Sequence, residues 1–421
     1  MNRKNSRISS QPPPGLRDFL PVEAEFINRA ANTLLDEFSR WGYRRVITPG
    51  IDYLDVFLLS SIAKELFKIA DINSGELLSL RSDFTPQIGR LSSSLRNSTT
   101  LPYKFSYFGP VLRNSDPNLG KPREILQVGV ELIGPNSPES DAELIIMGIE
   151  ALKKLNIMDF SVDIGNVDFF RGIVSDIPEA ERKKIEEYTL KKDSSGLAAF
   201  LNTLDLSRKK KEIINGLLFM FGKKTVIKKA WKMAHNEMAI NALETMERVL
   251  SYIKLYGLDD YITIDFGEIR GLNYYTGTIF ECFAPNTGYE IFGGGRYNNL
   301  IGAFGENCPG AGFAVNMDIL RSFSRGLKPE RSRVMVFNGT KDKELEVEII
   351  KFLRSRMIKA ESNFMNYGYK DALKYTKEND IEKIVFIDKT KIILEDVSGL
   401  EKKNFKNLSE FKKHFKMKKD H

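Results

Sequence analysis

The stretch "YKFSYFGPVLR", residues 103–113, is followed after nine polar residues, "NSDPNLGKP", and one arginine by "EILQVGVELIG", residues 124–134. Both apolar segments alternate and are rich in aromatic or β-branched side chains, which suits a pleated, half-buried surface. The polar stretch between them carries two prolines and a glycine and reads as a loop. Two strands joined by so short a connection pair antiparallel, because parallel pairing needs a crossover of a dozen residues or more. Further on, "YITIDFGE", "YYTGTIFECF" and "YEIFGGG" again follow one another with no helix between them. Strands in neighbouring groups predict an α+β fold, an antiparallel sheet flanked by helices, rather than a parallel sheet of alternating strands and helices.

Other elements extend this frame. Phe26, Ala30, Leu34, Phe38 and Trp41 recur at steps of three and four and predict a helix over 22–41 that stops at Gly42. "YRRVITP" (43–49) reads as a strand. "GELLSLRSDFTPQIGRL" reads as a turn, a strand and a helix starting at Thr85–Pro86, since proline suits the first helical turn. Ser140 with Glu143 three residues later predicts a capping box for a helix over 141–155. Residues 167–257 turn rich in Lys, Glu, Leu and Ala and form a mainly helical insertion. A last helix follows "PGAGFAVNMDIL", then a polar linker at 322–333. "VMVFNG", a charged helix, "KIVFID" and "KIILED" predict a small α/β domain. The expected organisation is a disordered arm at 1–11, a core at 12–325 and a C-terminal domain at 334–421 with a basic tail.

Composition narrows the function classes. Of 421 residues, 42% are hydrophobic, enough for an ordinary core, yet no window approaches ~18 uncharged apolar residues, so no membrane span is expected. The polar, basic start "MNRKNSRISS" lacks the apolar stretch of a secretory signal. Cys282 and Cys308 form no metal-ligand spacing with the scattered His235, His414 and His421, so neither a structural metal nor histidine acid–base chemistry is expected. These features point to a cytoplasmic protein. The net charge of +7 sits largely in "RKKK" (208–211) and the tail, and such runs are more often solvated faces than nucleic-acid sites.

Three stretches hold chemistry-bearing residues. Asp83 and Thr85 in "LRSDFTPQIGR" stand at a strand-to-helix turn, where a carboxylate either accepts a ligand ammonium or caps the helix. Arg113 closes the first strand of the opening pair, while Gln127 and Glu131 lie four apart on the second and so share a face. An arginine, an amide and a carboxylate on a sheet floor suit a zwitterion, since arginine pairs a carboxylate bidentately. In "RGLNYYTGTIFE", Arg270 precedes Tyr274 and Tyr275, whose rings offer a flat wall with a hydroxyl. Core tyrosines would read the same way. The triplet Gly293–Gly295 lets backbone come close to a ligand but fits neither GxGxxG nor a Walker pattern.

Taken as a set, "PPGLRDFLP", "YRRVITP", "LRSDFTPQIGR", "RGLNYYTGTIFE", "FGGGRYNNLIGAFG" and "PGAGFAV", scattered over residues 12–325, resemble the class II core of histidyl-tRNA synthetase. The departures are informative. Arg113 stands where the synthetase's motif 2 has its arginine, but Ser115 occupies the place of a glutamate that helps to position ATP. In "GFAVNMDIL", Asn316 stands for a glycine, Asp318 for a glutamate and Ile319 for the arginine that grips the ATP phosphates. Loss of that arginine removes a charge-assisted contact that isoleucine cannot replace. "LRSDFTPQIGR" is similar instead to the R-x-D-x-T-x-Q-I-x-R form of a paralogous family, the ATP phosphoribosyltransferase regulatory subunits.

That resemblance implies a chain without catalytic residues of its own and without a cofactor. It would be required by a short-form ATP phosphoribosyltransferase catalytic subunit in the first step of histidine biosynthesis and for feedback inhibition by L-histidine. It implies a homodimer within a hetero-octamer and no tRNA binding, and it places Asp83, Thr85, Arg113, Gln127, Glu131, Arg270, Tyr274 and Tyr275 in a histidine pocket. Two other readings stay open on the sequence: a histidine–tRNA ligase, active or divergent, and a tRNA- or protein-binding module with no histidine role.

Overall fold

The structure, a computed structural model, describes residues 9–59, 63–116, 121–269, 274–324, 333–340, 343–365, 367–379, 381–399 and 401–416. Positions 1–8 of the expected arm, 325–332 of the linker and 417–421 of the tail lie outside the described residues. The chain divides into two compact units, Met1–Arg325 and Gly326–His421.

In the first unit, α1 (Pro21–Arg40) leads through β1 (Arg44–Arg45) to a small sheet of β2 (Ile51–Tyr53), β3 (Lys68–Ala70) and β4 (Leu77–Leu80), with α2 (Leu54–Leu58) between its first two strands. Then come α3 (Thr85–Leu95), β5 (Tyr103–Leu112), β6 (Glu124–Ile133), α4 (Pro138–Lys154) and β7 (Ser161–Asn166). The helical stretch runs α5 (Val167–Ile173), α6 (Glu179–Leu190), α7 (Ser194–Asn202), α8 (Arg208–Gly216), β8 (Phe221–Gly222), α9 (Thr225–Trp231) and α10 (Glu237–Leu255). β9 (Ile262–Asp265), β10 (Thr278–Phe283), β11 (Phe292–Arg296), β12 (Gly310–Asn316) and α11 (Met317–Leu320) complete the unit.

Nine strands form one sheet in the order β1-β5-β6-β12-β11-β10-β7-β9-β8. The opening pair is antiparallel and lies one strand in from the β1 edge, registered from Tyr103 opposite Ile133 to Leu112 opposite Glu124. Among the described residues of this sheet, only β1–β5 and β7–β9 pair parallel. The fold class is thus α+β with a mainly antiparallel sheet. One face carries the larger core, in which Phe38, Val128, Val130, Leu132, Ile145, Leu152, Phe280 and Phe313 are buried. On the other face Phe84, Ile88, Phe105, Tyr107 and Ile301 form a smaller cluster beneath α3. Among the described residues no helix is long and apolar enough to cross a membrane.

Three local expectations are corrected. The capping box of α4 is Ser137 with Ser140, whose side chains take each other's backbone N–H at 3.3 and 3.4 Å, not Ser140 with Glu143. Pro138 supplies the fixed φ of the first helical position and starts the helix three residues early. Glu143 instead accepts from Lys104 Nζ at 2.7 Å and from the Tyr43 hydroxyl at 3.1 Å. In "YRRVITP" only Arg44–Arg45 is strand. The last helix does not follow "PGAGFAVNMDIL" but lies inside it as α11, directly after "GAGFAVN", which is β12, next to β6; its small side chains hide strand character that the pairing supplies.

The second unit orders its strands β14 (Lys359–Ser362), β13 (Arg333–Asn338), β15 (Lys383–Ile387), β16 (Ile392–Asp396) and β17 (Lys402–Phe405). The first three are parallel and the last two add antiparallel. Helices α12 (Lys343–Ser355), α13 (Tyr369–Glu378) and α14 (Leu408–Lys416) accompany them.

Candidate functional site

Period two puts Ile125, Gln127, Gly129 and Glu131 of β6 on the face opposite the larger core. A cavity of about 610 Å³ opens there. Asp83, Thr85, Arg113, Gln127, Glu131, Tyr274 and Tyr275 all line it, so seven of the eight residues singled out from the sequence converge although they span nearly two hundred positions. Arg270, the eighth, lies outside the described residues.

Glu131 forms the floor. It is 1% exposed. Thr85 Oγ1 donates to its Oε1 at 2.6 Å, the Tyr107 hydroxyl reaches the same oxygen at 3.4 Å, and the Tyr297 hydroxyl donates to Oε2. Burial, with the nearby Asp83 adding to it, pushes the Glu131 carboxyl up to about 8, against the lowering effect of those hydrogen bonds. Burial also raises Asp83, opposed mainly by the positive charge of Arg113. Asp83 Oδ1 accepts from the Thr85 backbone N–H at 3.2 Å, so the residue caps the start of α3 while lining the cavity; the two readings left open by the sequence coexist. The hydroxyls of Tyr107, Tyr274 and Tyr297 are likewise pushed up, first by burial and then by the neighbouring carboxyls.

Glycines make room for this floor. A Cβ on Gly312, opposite Glu131 in the register, would collide with the Glu131 carboxylate and with the Val130 carbonyl. One on Gly129, opposite Tyr107, would collide with the Tyr107 hydroxyl. At this end of the cavity the buried Arg113 Nε and Tyr274 hydroxyl find no well-formed hydrogen-bond partner among the described residues. A carboxylate ligand could take the first and an acceptor the second.

The cavity extends past Glu65, Ser115, Lys121, Glu281, Glu290, Asn316, Asp318 and Ile319. Several of these side chains are engaged in the protein itself. Ser115 Oγ donates to the Pro122 carbonyl at 3.3 Å, Asn316 Oδ1 accepts from the Asp318 N–H at 3.0 Å, and Asp318 pairs with Arg17 at 2.5 Å. Ile319 packs against the larger core. Among the described residues no grouping of histidine, cysteine, aspartate or glutamate could hold a metal ion.

Sequence reasoning missed Tyr107 and Tyr297. Tyr107 sits in the opening strand and Tyr297 ends "FGGGRY", so both were in view, but nothing in the one-dimensional pattern separates a tyrosine bonded to a carboxylate from one packed in a core. The arginine of "FGGGRY" turns elsewhere: Arg296 is 4% exposed and binds Asp141 Oδ1 through Nε at 2.9 Å and Nη2 at 2.6 Å, and Ser140 Oγ at 2.8 Å. It ties β11 to the start of α4.

Comparison with known proteins follows the same lines. The histidyl-tRNA synthetase family model matches residues 15–320. The chain is 36% identical over 383 residues to a protein of Geobacter sulfurreducens named ATP phosphoribosyltransferase regulatory subunit, covering 89% of this chain and 87% of that one. It is 35% identical over 381 residues to a protein of the same name from Thermoanaerobacter pseudethanolicus, covering 89% and 98%. Among solved structures, an ATP phosphoribosyltransferase regulatory subunit/histidyl-tRNA synthetase from Bacillus halodurans superposes with a TM-score of 0.81 at 27% identity, covering 90% of this chain and 98% of that one. A histidyl-tRNA synthetase from Nostoc has the same TM-score at 21% identity, covering 98% and 100%, and supports the fold alone.

Proposed function

The chain belongs to the ATP phosphoribosyltransferase regulatory subunits, a family built on the histidyl-tRNA synthetase fold, and from that premise we propose that it is a non-catalytic partner subunit that senses L-histidine in the cavity over β6. One observation carries the reading. The end of the cavity suited to a zwitterion keeps Asp83, Thr85, Arg113, Glu131 and the two tyrosines. The positions where a synthetase would hold ATP are Ser115, Asn316, Asp318 and Ile319. The first end suits an amino acid, and the second has Ile319 where the arginine that grips the phosphates would stand. The Arg113 guanidinium would pair the ligand carboxylate and the carboxyls of Asp83 and Glu131 its ammonium, with Tyr274 and Tyr275 walling the side chain. Arg270 belongs to this set by its place in the motif.

Feedback follows if two states of the assembly bind histidine unequally, because a ligand with equal affinity for both shifts nothing. The partner is then a short ATP phosphoribosyltransferase chain that is inactive alone. Reconstitution tests this: adding the chain to such a subunit should restore phosphoribosyl-ATP synthesis, and histidine should suppress it. Histidine-dependent pyrophosphate exchange or tRNA charging by the pure chain would overturn the reading in favour of a histidine–tRNA ligase.

A further inference from the structure

The cavity sets two carboxyls on either side of one residue. The Thr85 backbone N–H binds Asp83 and its hydroxyl binds Glu131, at 3.2 and 2.6 Å. Among the described residues, the groups that face Glu131 are Asp83 and Thr85 from the start of α3, Tyr107 from β5, Tyr274 and Tyr275 from the segment before β10, Tyr297 from the end of β11 and, across the sheet, Tyr43 after α1. None of these is a cation. Of the lining cations Arg113 and Lys121, Arg113 bears on Asp83. Thr85, Tyr107 and Tyr297 meet Glu131 with hydroxyls, which can accept as well as donate and so can host a neutral carboxyl.

We infer that this site takes ligands carrying a cationic amine in exchange for a proton: the empty pair of Asp83 and Glu131 holds one, and it leaves for solvent when the amine seats beside them. This rests on the reading of the cavity as an amino-acid pocket and adds to it a proton count. Two like charges in one buried site cannot both ionise cheaply, whereas a cation between them favours both ionised forms. The raised Glu131 carboxyl agrees with a proton held in the empty state. A neutral isostere of the amine would have nothing to offer in exchange and would bind weakly.

The test is calorimetric titration of L-histidine into the full chain at about pH 7, in PIPES and in Tris, whose different ionisation heats count the protons exchanged. Wild type is expected to release about one proton, falling toward none near pH 9, with affinity rising several-fold between about pH 6.5 and 7.5. Glu131→Gln should bind more weakly and release about one proton fewer. If that variant does not fold, the wild-type pH series carries the test alone. Binding by wild type with no release at pH 7, or with the same count as Glu131→Gln, would overturn the exchange and leave the pocket standing. No heat with histidine at millimolar concentration would overturn the pocket and the exchange together.

Discussion

At the scale of single residues, the Glu131 carboxyl concentrates the energetics of the site. It is held to about 8, against an unfolded value near ~4.3. Between those values the folded chain binds more protons than the unfolded one, so this group lowers stability as pH rises from ~4.5 to ~8. Glu131→Gln stays neutral throughout and escapes that loss. The difference in melting temperature, variant minus wild type, is expected to grow from pH 5 to 8 and then level off, as read by thermal unfolding across a pH series. Asp83→Asn keeps a capping oxygen but loses the charge that would meet a ligand ammonium. Histidine affinity should fall about ten- to a hundredfold, the worth of one hydrogen bond to a charged group, with little change in unfolding. A drop in stability without a drop in affinity would show that Asp83 is only a cap.

At the scale of elements, β12 shapes the floor of the site and Arg296 anchors β11 to the start of α4. Gly312→Ala would push a Cβ into the Glu131 carboxylate and the Val130 carbonyl, both of them held by the β6–β12 pairing. Overpacking of that kind costs roughly 1–3 kcal/mol, and histidine binding should weaken in step, measured by denaturant unfolding alongside calorimetry. Arg296→Met leaves Asp141 buried without its partner, which at such a site costs about 3–5 kcal/mol. The double variant Arg296→Met with Asp141→Leu should recover much of that loss, since an apolar pair replaces an ion pair with little penalty. The opening strand pair was legible in the sequence because alternation and a short polar loop leave antiparallel pairing as the simple outcome. β12 was not, because glycine and alanine carry no strand signature and their service to Glu131 lies across a register that no local pattern encodes.

At the scale of the whole molecule, every residue lining the cavity falls in the unit Met1–Arg325. A chain ending at 325 is therefore expected to bind histidine within a few-fold of the full protein, by calorimetry. A loss far beyond that would assign the second unit a part in the site. The sequence by itself determined the fold class, the strand pairs, most helices and seven cavity residues that the chain brings together. It could do so because periodicity and turn chemistry are local, and because the motif set restricts which residues meet. Only the tertiary structure decided that Arg296 locks α4 rather than facing the ligand, that Tyr107 and Tyr297 bind Glu131, and that Asp83 caps and lines at once. Those roles depend on strand register and on which side chains burial leaves beside a carboxyl, and both are properties of the packed chain.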